Sequence, residues 1–342
     1  MDVKDFWYVV ALSEQLTDKK PIARTVLDEW LVIFRDAQGE PVALRDRCLH
    51  RNSRLSQGTL QDGNIQCPYH GWKYNAEGKV VEVPAEGAAR GLATCSKNAR
   101  QALRYATREQ DGYVYVQLAN NPEISPFLMI HYQEPGWETV RVTNRFNNTV
   151  TNCAENFIDI PHTASVHPGI FRNAKQQQLQ MSVSRSDGIV TATYRQETDN
   201  LGWFGWFLNP DKREIQHTDQ FFMPNITRVE YNMGTRRQCF ITSQSVPETE
   251  NSTLVYTDVT FNYGFWSKLA RPFVHWTAQK IISQDIVALK LQQETIAKYG
   301  EQFSHTPVDT IHVFVESIRQ AIAHGKDPRT LPEKSADITF WV

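Results

Sequence analysis

The residues best placed to do chemistry are two cysteine–histidine pairs, Cys48-Leu-His50 and, after sixteen intervening residues, Cys67-Pro-Tyr-His70. Each pair offers one thiolate and one imidazole from a short loop. The separation lets two hairpin tips close over one inorganic centre. A set of two cysteines and two histidines can hold structural zinc. The pairs here run Cys-x-His and Cys-x-x-His, not Cys-x-x-Cys followed by a histidine pair. That order matches a [2Fe–2S] cluster with both thiolates on one iron and both imidazoles on the other, an arrangement that raises the potential far above that of an all-thiolate cluster. Arg51, Gly58, Pro68 and Gly71 are the residues expected to shape the two loops.

A second constellation is Glu155-Asn-Phe-Ile-Asp159-Ile-Pro-His162-Thr-Ala-Ser-Val-His167. Two imidazoles and one carboxylate form the facial triad of non-heme Fe(II) sites, which leaves positions open for dioxygen and substrate. Asp159 and His162 are three apart and would share one helical face. His162 and His167 are five apart, about 140° around an ideal helix. They converge only if the helix bends or ends between them, and Pro161 is the expected cause.

The stretch Cys48-Leu-His50-Arg51, Leu55-Ser56-x-Gly58 and Cys67-Pro-Tyr-His-Gly-Trp-Lys-Tyr74 resembles the cluster motif of the Rieske non-heme iron oxygenases. Asp159-x-x-His162-x₄-His167 is similar to the catalytic motif of the same family. The resemblance implies a cluster held by Cys48, His50, Cys67 and His70, and a mononuclear Fe(II) held by His162 and His167. It implies that Asp159 bridges to a cluster histidine such as His70 of a neighbouring subunit, in a head-to-tail homotrimer. Asn156 then lies near the iron. The third ligand should be a carboxylate far downstream, and Asp285 is the candidate. Its helical neighbours Ile281, Ile282, Ala288 and Leu289 are apolar, so the carboxylate must be paired, protonated or metal-bound. Asp258, in a strand pattern, and Asp309, which looks like an N-cap, are the fallbacks. The length points to the compact monooxygenase and demethylase group of the family. The implied reaction uses O₂ to hydroxylate a C–H bond or to remove an O- or N-methyl group from a small aromatic substrate. The alternatives are cis-dihydroxylation of an arene and an electron-transfer protein whose second site is inactive. No Gly-x-Gly-x-x-Gly fingerprint is present, so a separate ferredoxin or flavin reductase is expected to supply electrons.

Positioning such residues needs a sizeable scaffold. The chain has 342 residues, 41% hydrophobic and 22% charged, near the globular norm. With 36 basic and 38 acidic residues the formal net charge is −2, which argues against a nucleic-acid or anionic-membrane partner. Apolar runs are too short for a membrane helix, and the N-terminus lacks a secretory pattern. Five cysteines, at 48, 67, 95, 153 and 239, read as reduced thiols or metal ligands, which suggests the cytoplasm.

The first third reads as β. Trp30–Phe34 and Pro41–Arg45 flank a hairpin turn at Asp36–Glu40, Trp72–Tyr74 and Lys79–Val83 flank another, and Tyr113–Gln117 alternates like a half-buried strand. Asn120–Pro126 breaks the pattern, which places a domain boundary there: residues 1–120, then 121–342. Beyond it, residues 150–167 read as helix or helix-turn. Strand-like runs follow at Gly188–Tyr194, Gln220–Met223, Arg228–Met233, Cys239–Val246 and Leu254–Phe261. A long helix is expected from Pro272 to Tyr299, closed by Gly300, and a last one over Asp309–His324. The order predicts an α+β chain: an all-β cluster domain followed by a catalytic domain of antiparallel sheet and helices, helix-grip-like by the resemblance. Trp203, Trp206, Phe207, Phe221 and Phe222 are the candidates for an apolar substrate pocket. Arg228, Arg236 and Arg237 could clamp a carboxylate but read equally as exposed strand residues. His217, His275, His305 and His312 read as surface or satisfied core histidines.

Overall fold

The structure, a computed structural model, describes residues 1–86, 100–170, 177–195, 215–233 and 237–342. The chain is α+β and divides into two compact units, Lys4–Leu128 and Met129–Val342, the latter joined by Met1–Val3.

The first unit is built of strands β1 (Trp7–Leu12), β2 (Ile22–Val26), β3 (Glu29–Arg35), β4 (Pro41–Arg45), four short strands β5 (Thr59–Gln61), β6 (Asn64–Gln66), β7 (Lys73–Tyr74) and β8 (Val80–Glu82), then β9 (Arg104–Gln110) and β10 (Tyr113–Gln117). They form a six-stranded sheet in the order β1-β10-β9-β4-β3-β2 and a four-stranded one in the order β5-β6-β7-β8. The β3–β4 hairpin forms because two apolar runs flank a turn that Asp36 closes, its Oδ1 accepting from the Gln38 and Glu40 amides, both at 2.9 Å. β10 departs from the alternating pattern: all five of its residues are buried. It lies between β1 and β9, and its tyrosines bury their rings where a more polar residue would have faced water.

The second unit carries β11 (Glu138–Phe146), β12 (Gln178–Ser186), β13 (Ile189–Arg195), β14 (Gln216–Phe222), β15 (Ile226–Asn232), β16 (Gln238–Thr249), β17 (Ser252–Asn262) and β18 (Lys334–Trp341). These make one antiparallel sheet in the order β11-β17-β16-β15-β14-β13-β12-β18. Its helices are α1 (Val150–Asn156), α2 (Pro161–Val166), α3 (Ser267–Tyr299) and α4 (Thr310–Ala323). The long helix α3 starts five residues before the expected Pro272, which sits within its second turn and withholds one backbone donor there. Its Ile282 and Leu289 pack with Val142, Phe146, Cys153 and Val255 of β11, α1 and β17. Truncating a side chain buried like Leu289 to alanine costs about 2–5 kcal/mol, so α3 is firmly seated. α4 buries Ile311, Phe314, Val315, Ile318 and Ile322, the three-and-four spacing of an amphipathic helix. Among the described residues no helix is long and apolar enough to cross a membrane.

Candidate functional site

In the first unit, the two Cys–His loops have nearly the same backbone. The Cys48 amide donates to Ser53 O at 2.8 Å and its carbonyl accepts from Asn52 N at 3.0 Å. The Cys67 amide donates to Trp72 O at 2.8 Å and its carbonyl accepts from Gly71 N at 3.1 Å. The fifth residue of each loop, Asn52 at φ +58° and Gly71 at φ +74°, takes the left-handed conformation that turns the chain back. Gly58 is required for a different reason: a Cβ there would run into the carbonyl oxygen of Gln66. Both cysteines are buried and both histidines are exposed. The imidazoles of His50 and His70 lie edge to face, 4.5 Å between centroids, and Trp72 stacks on His50. Tyr74, fully buried, receives the Leu49 amide at 2.9 Å and sits 3.2 Å from Cys48 Sγ, tying the first loop to β7. Asp46, which the sequence did not single out, anchors the same loop by accepting from Arg54 Nε, Ser56 N and Ser56 Oγ at 2.6–2.8 Å. Burial pushes the Cys67 thiol up, and the neighbouring Cys48 adds to it.

In the second unit, Thr149 caps α1 by accepting from Asn152 N. α1 ends at Asn156, and Pro161 opens α2 as its first residue. The convergence of the histidines therefore comes from a helix end: α2 stops at Val166, and His167 leaves helical dihedrals at φ −118°, ψ 54°. Pro161 starts the helix and does not kink it. Asp159 lies before α2, off the helical face expected for it, and its Oδ2 accepts from His162 N at 3.3 Å and lies 3.4 Å from His162 Nδ1. From α3, Asp285 Oδ1 approaches His167 Nε2 at 3.0 Å and His162 Nε2 at 3.7 Å. One donor atom from each of His162, His167 and Asp285 lies within 4.8 Å of the others. Asn156 Nδ2 is 3.3 Å from both His162 Nε2 and Asp285 Oδ1. His167 and Asp285 are buried. Burial alone would lower the His162 imidazole, but Asp159 and then Asp285 outweigh it and leave it above its ordinary value. Gln284, which sequence reading missed, accepts from His167 Nδ1 at 2.9 Å and so turns Nε2 toward Asp285.

The fallback carboxylates are used elsewhere. Asp258 is buried in a pair with Arg141 across β11 and β17, and Asp309 reaches back to Thr306 in a capping box. A cavity opens beside the triad, lined by Asn156, Asp159, the three triad residues and an apolar wall that includes Val229, Ile241 and Val274. Phe221 and Phe222 are not among its lining residues, and Trp203, Trp206 and Phe207 lie outside the described residues. Phe222 is on the opposite face of β14, under the guanidinium of Arg228. Arg228 itself pairs with Glu230 on that face, and Arg236 lies outside the described residues. His275 and His305 are exposed, and His312 is paired with Glu155. His217 is buried against Asp219 on the cavity wall, a role that a lone strand histidine did not signal.

Residues 6–96 match the Rieske [2Fe–2S] domain, and residues 146–321, about half of the chain, match the vanillate O-demethylase oxygenase C-terminal domain. The chain belongs to the Rieske non-heme iron oxygenases. Among curated relatives of this oxygenase, Protein TIC 55 of Arabidopsis thaliana is 27% identical over 87% of this chain and 54% of its own length. The oxygenase component of dicamba O-demethylase from Stenotrophomonas maltophilia is 30% identical over 56% of this chain and 55% of its own. The chain thus spans about half the length of these curated relatives. A solved structure of a Pseudomonas putida CBB5 NdmA mutant with theobromine shares the fold: TM-score 0.77 at 20% identity, covering 98% of this chain and 97% of that one.

The family's groups are a [2Fe–2S] cluster and a mononuclear iron, and the residues fit both. Two buried thiols side by side, one pushed up by burial, lose their protons readily only to a cation. In the second unit, a buried carboxylate and two imidazole nitrogens, His162 Nε2 and His167 Nε2, converge on one point. That donor set, two nitrogens and one oxygen, is the one borderline divalent iron takes.

Proposed function

We propose that this Rieske oxygenase is a terminal monooxygenase that uses O₂ and reductase-supplied electrons to hydroxylate a C–H bond, or to remove an O- or N-methyl group, on a small aromatic molecule. One observation carries the reading: His162, His167 and Asp285 converge on the wall of a largely apolar cavity. When bound, the cluster held by Cys48, His50, Cys67 and His70 relays single electrons, and the iron held by the triad activates dioxygen.

The chain's own residues do the rest. Gln284 holds His167 in one tautomer, so its Nε2 is the atom presented. Asn156 lies against both His162 and Asp285 and limits how far either can swing. The apolar wall excludes water and favours an aromatic ring. Asp159, half-exposed and beside His162, is our candidate bridge to the cluster of a neighbouring copy in a head-to-tail homotrimer. A ferredoxin or flavin reductase supplies the electrons, and we place the protein in the cytoplasm, where Cys48, Cys67, Cys153 and Cys239, all unpaired, would stay reduced. Demethylation is supported by the likeness to the oxygenase component of dicamba O-demethylase.

Iron and sulfide analysis of the purified protein tests the reading. About three irons and two acid-labile sulfides per chain are expected, together with formaldehyde release from a panel of aromatic methyl ethers and N-methyl heterocycles under a surrogate reductase. Two irons, with no oxidised product from any member, would leave only an electron relay.

A further inference from the structure

The triad accounts for one end of the cavity, and the sheet wall carries a hydrogen-bonded histidine–aspartate pair that the triad does not use. On β14, His217, Asp219 and Phe221 share the buried face. His217 Nε2 donates to Asp219 Oδ1 at 3.0 Å, and both residues line the cavity. The His217 ring is held between its cross-strand neighbours Tyr194 and Tyr231, at centroid distances of 4.7 and 4.4 Å. It is therefore a fixed support. Asp219 sits one row along, between Ala192 and Val229, whose side chains offer it no polar partner. It is 2% exposed. A carboxylate has room for about four hydrogen bonds, and burying one with a single donor is costly. Across the cavity, Thr277 of α3 is 1% exposed and its Oγ1 has no hydrogen-bond partner. A largely apolar cavity with an under-used acceptor on one wall and an idle hydroxyl on the other is built for a polar ligand, not only a greasy one.

The sign of that ligand follows from the charges. Asp159 and Asp219 line the cavity with no lysine or arginine among the described residues, and Asp285, also on the wall, would be committed to the iron. An anion placed there would meet like charge in a low-dielectric space. An O–H or N–H group would complete Asp219.

Building on the oxygenase reading, we propose that Asp219, braced by His217, is the specificity-determining residue of this cavity, and that it selects substrates presenting an O–H or N–H donor over those carrying a carboxylate or sulfonate. Thr277 serves a second polar atom of the same molecule.

The test uses the holoprotein and three matched methyl ethers, 3-methoxyphenol, 3-methylanisole and 3-methoxybenzoate, with binding read by calorimetry. The phenol should bind at least about tenfold more tightly than the benzoate, since a hydrogen bond to a charged group is worth that much or more. Asp219→Asn should shrink that ratio to within about threefold while leaving 3-methylanisole nearly unchanged. The proposal is overturned if the benzoate binds as well as the phenol, if the phenol shows no binding, or if the ratio survives Asp219→Asn. The wild-type ratio alone can overturn it, so a misfolded variant does not protect it. Formaldehyde release measured on the same samples separates the two readings. A donor preference without methyl oxidation sinks the oxygenase reading alone, and turnover of the benzoate with no preference sinks this one alone.

Discussion

The two candidate iron stations are assembled in opposite ways. The four cluster donors, Cys48, His50, Cys67 and His70, come from one short stretch, and each loop closes on itself through its own backbone. The triad draws two donors from opposite ends of α2 and a third from α3. The contact that orients His167 joins it to Gln284, 117 residues away. A site closed by local hydrogen bonds depends on a few turns. A site closed across the fold depends on the seating of a helix. The cluster loops should therefore tolerate loss of the triad, whereas the triad should be sensitive to anything that moves α3.

The largest break of that comparison is Asp285→Ala. It removes the only donor that α3 contributes to the triad. Turnover should fall by about three orders of magnitude or more, with iron dropping by one equivalent while the visible spectrum of the cluster is kept. Loss of the cluster spectrum in this variant would mean that the two stations are not independent.

Gln284→Ala sharpens the same comparison at smaller cost. It leaves every donor in place but frees the His167 ring. Removing such a support weakens metal affinity by about 10–100-fold. Competition with a chelator should show the mononuclear iron leaving first and the cluster unaffected. Asp159→Asn keeps the group's shape and removes its charge. Both irons should stay bound while single-turnover reduction of the mononuclear site slows by about tenfold. Unchanged reduction kinetics would end its bridging role.

The same contrast explains what could be read in the chain beforehand. The Cys–His pairs were legible because their donors are neighbours in sequence. So were β3, β4 and β10, whose apolar runs fix their own conformation. Asp285 was legible only through its apolar helical neighbours. Gln284, His217 and Asp219 were not, because each acquires its meaning from a partner on another element. Strands such as β9 (RYATREQ) and β12 (QLQMSVSRS) have too little apolar content for their pairing to be read from composition. Pro161 was assigned to the right place with the wrong action. The spacing of the histidines demanded an interruption, but it could not distinguish a kink from a helix that simply ends at Val166.

The smallest effect concerns a pair that lies behind the triad and not in it. His312 of α4 bonds Glu155 of α1, with Glu316 and Asp309 also facing it. Burial would lower the His312 imidazole, but the bond from Glu155 and the surrounding carboxylates outweigh it and raise it above its ordinary value of 6.5. A group raised on folding stabilises the folded state fully below its unfolded value, and that contribution fades as pH climbs through the folded one. Over the range from its unfolded value of 6.5 up through its raised folded one, wild type should therefore lose an increment of stability that His312→Gln lacks. Melting temperatures of the two proteins should lie furthest apart at the acid end of that range and converge at the alkaline end. A gap constant with pH would mean that His312 contributes through packing alone. Because α1 ends at Asn156 beside the triad, the same titration followed by chelator competition shows whether loosening α1 reaches the metal site. The cluster loops share no element with α1, so their spectrum should stay constant throughout.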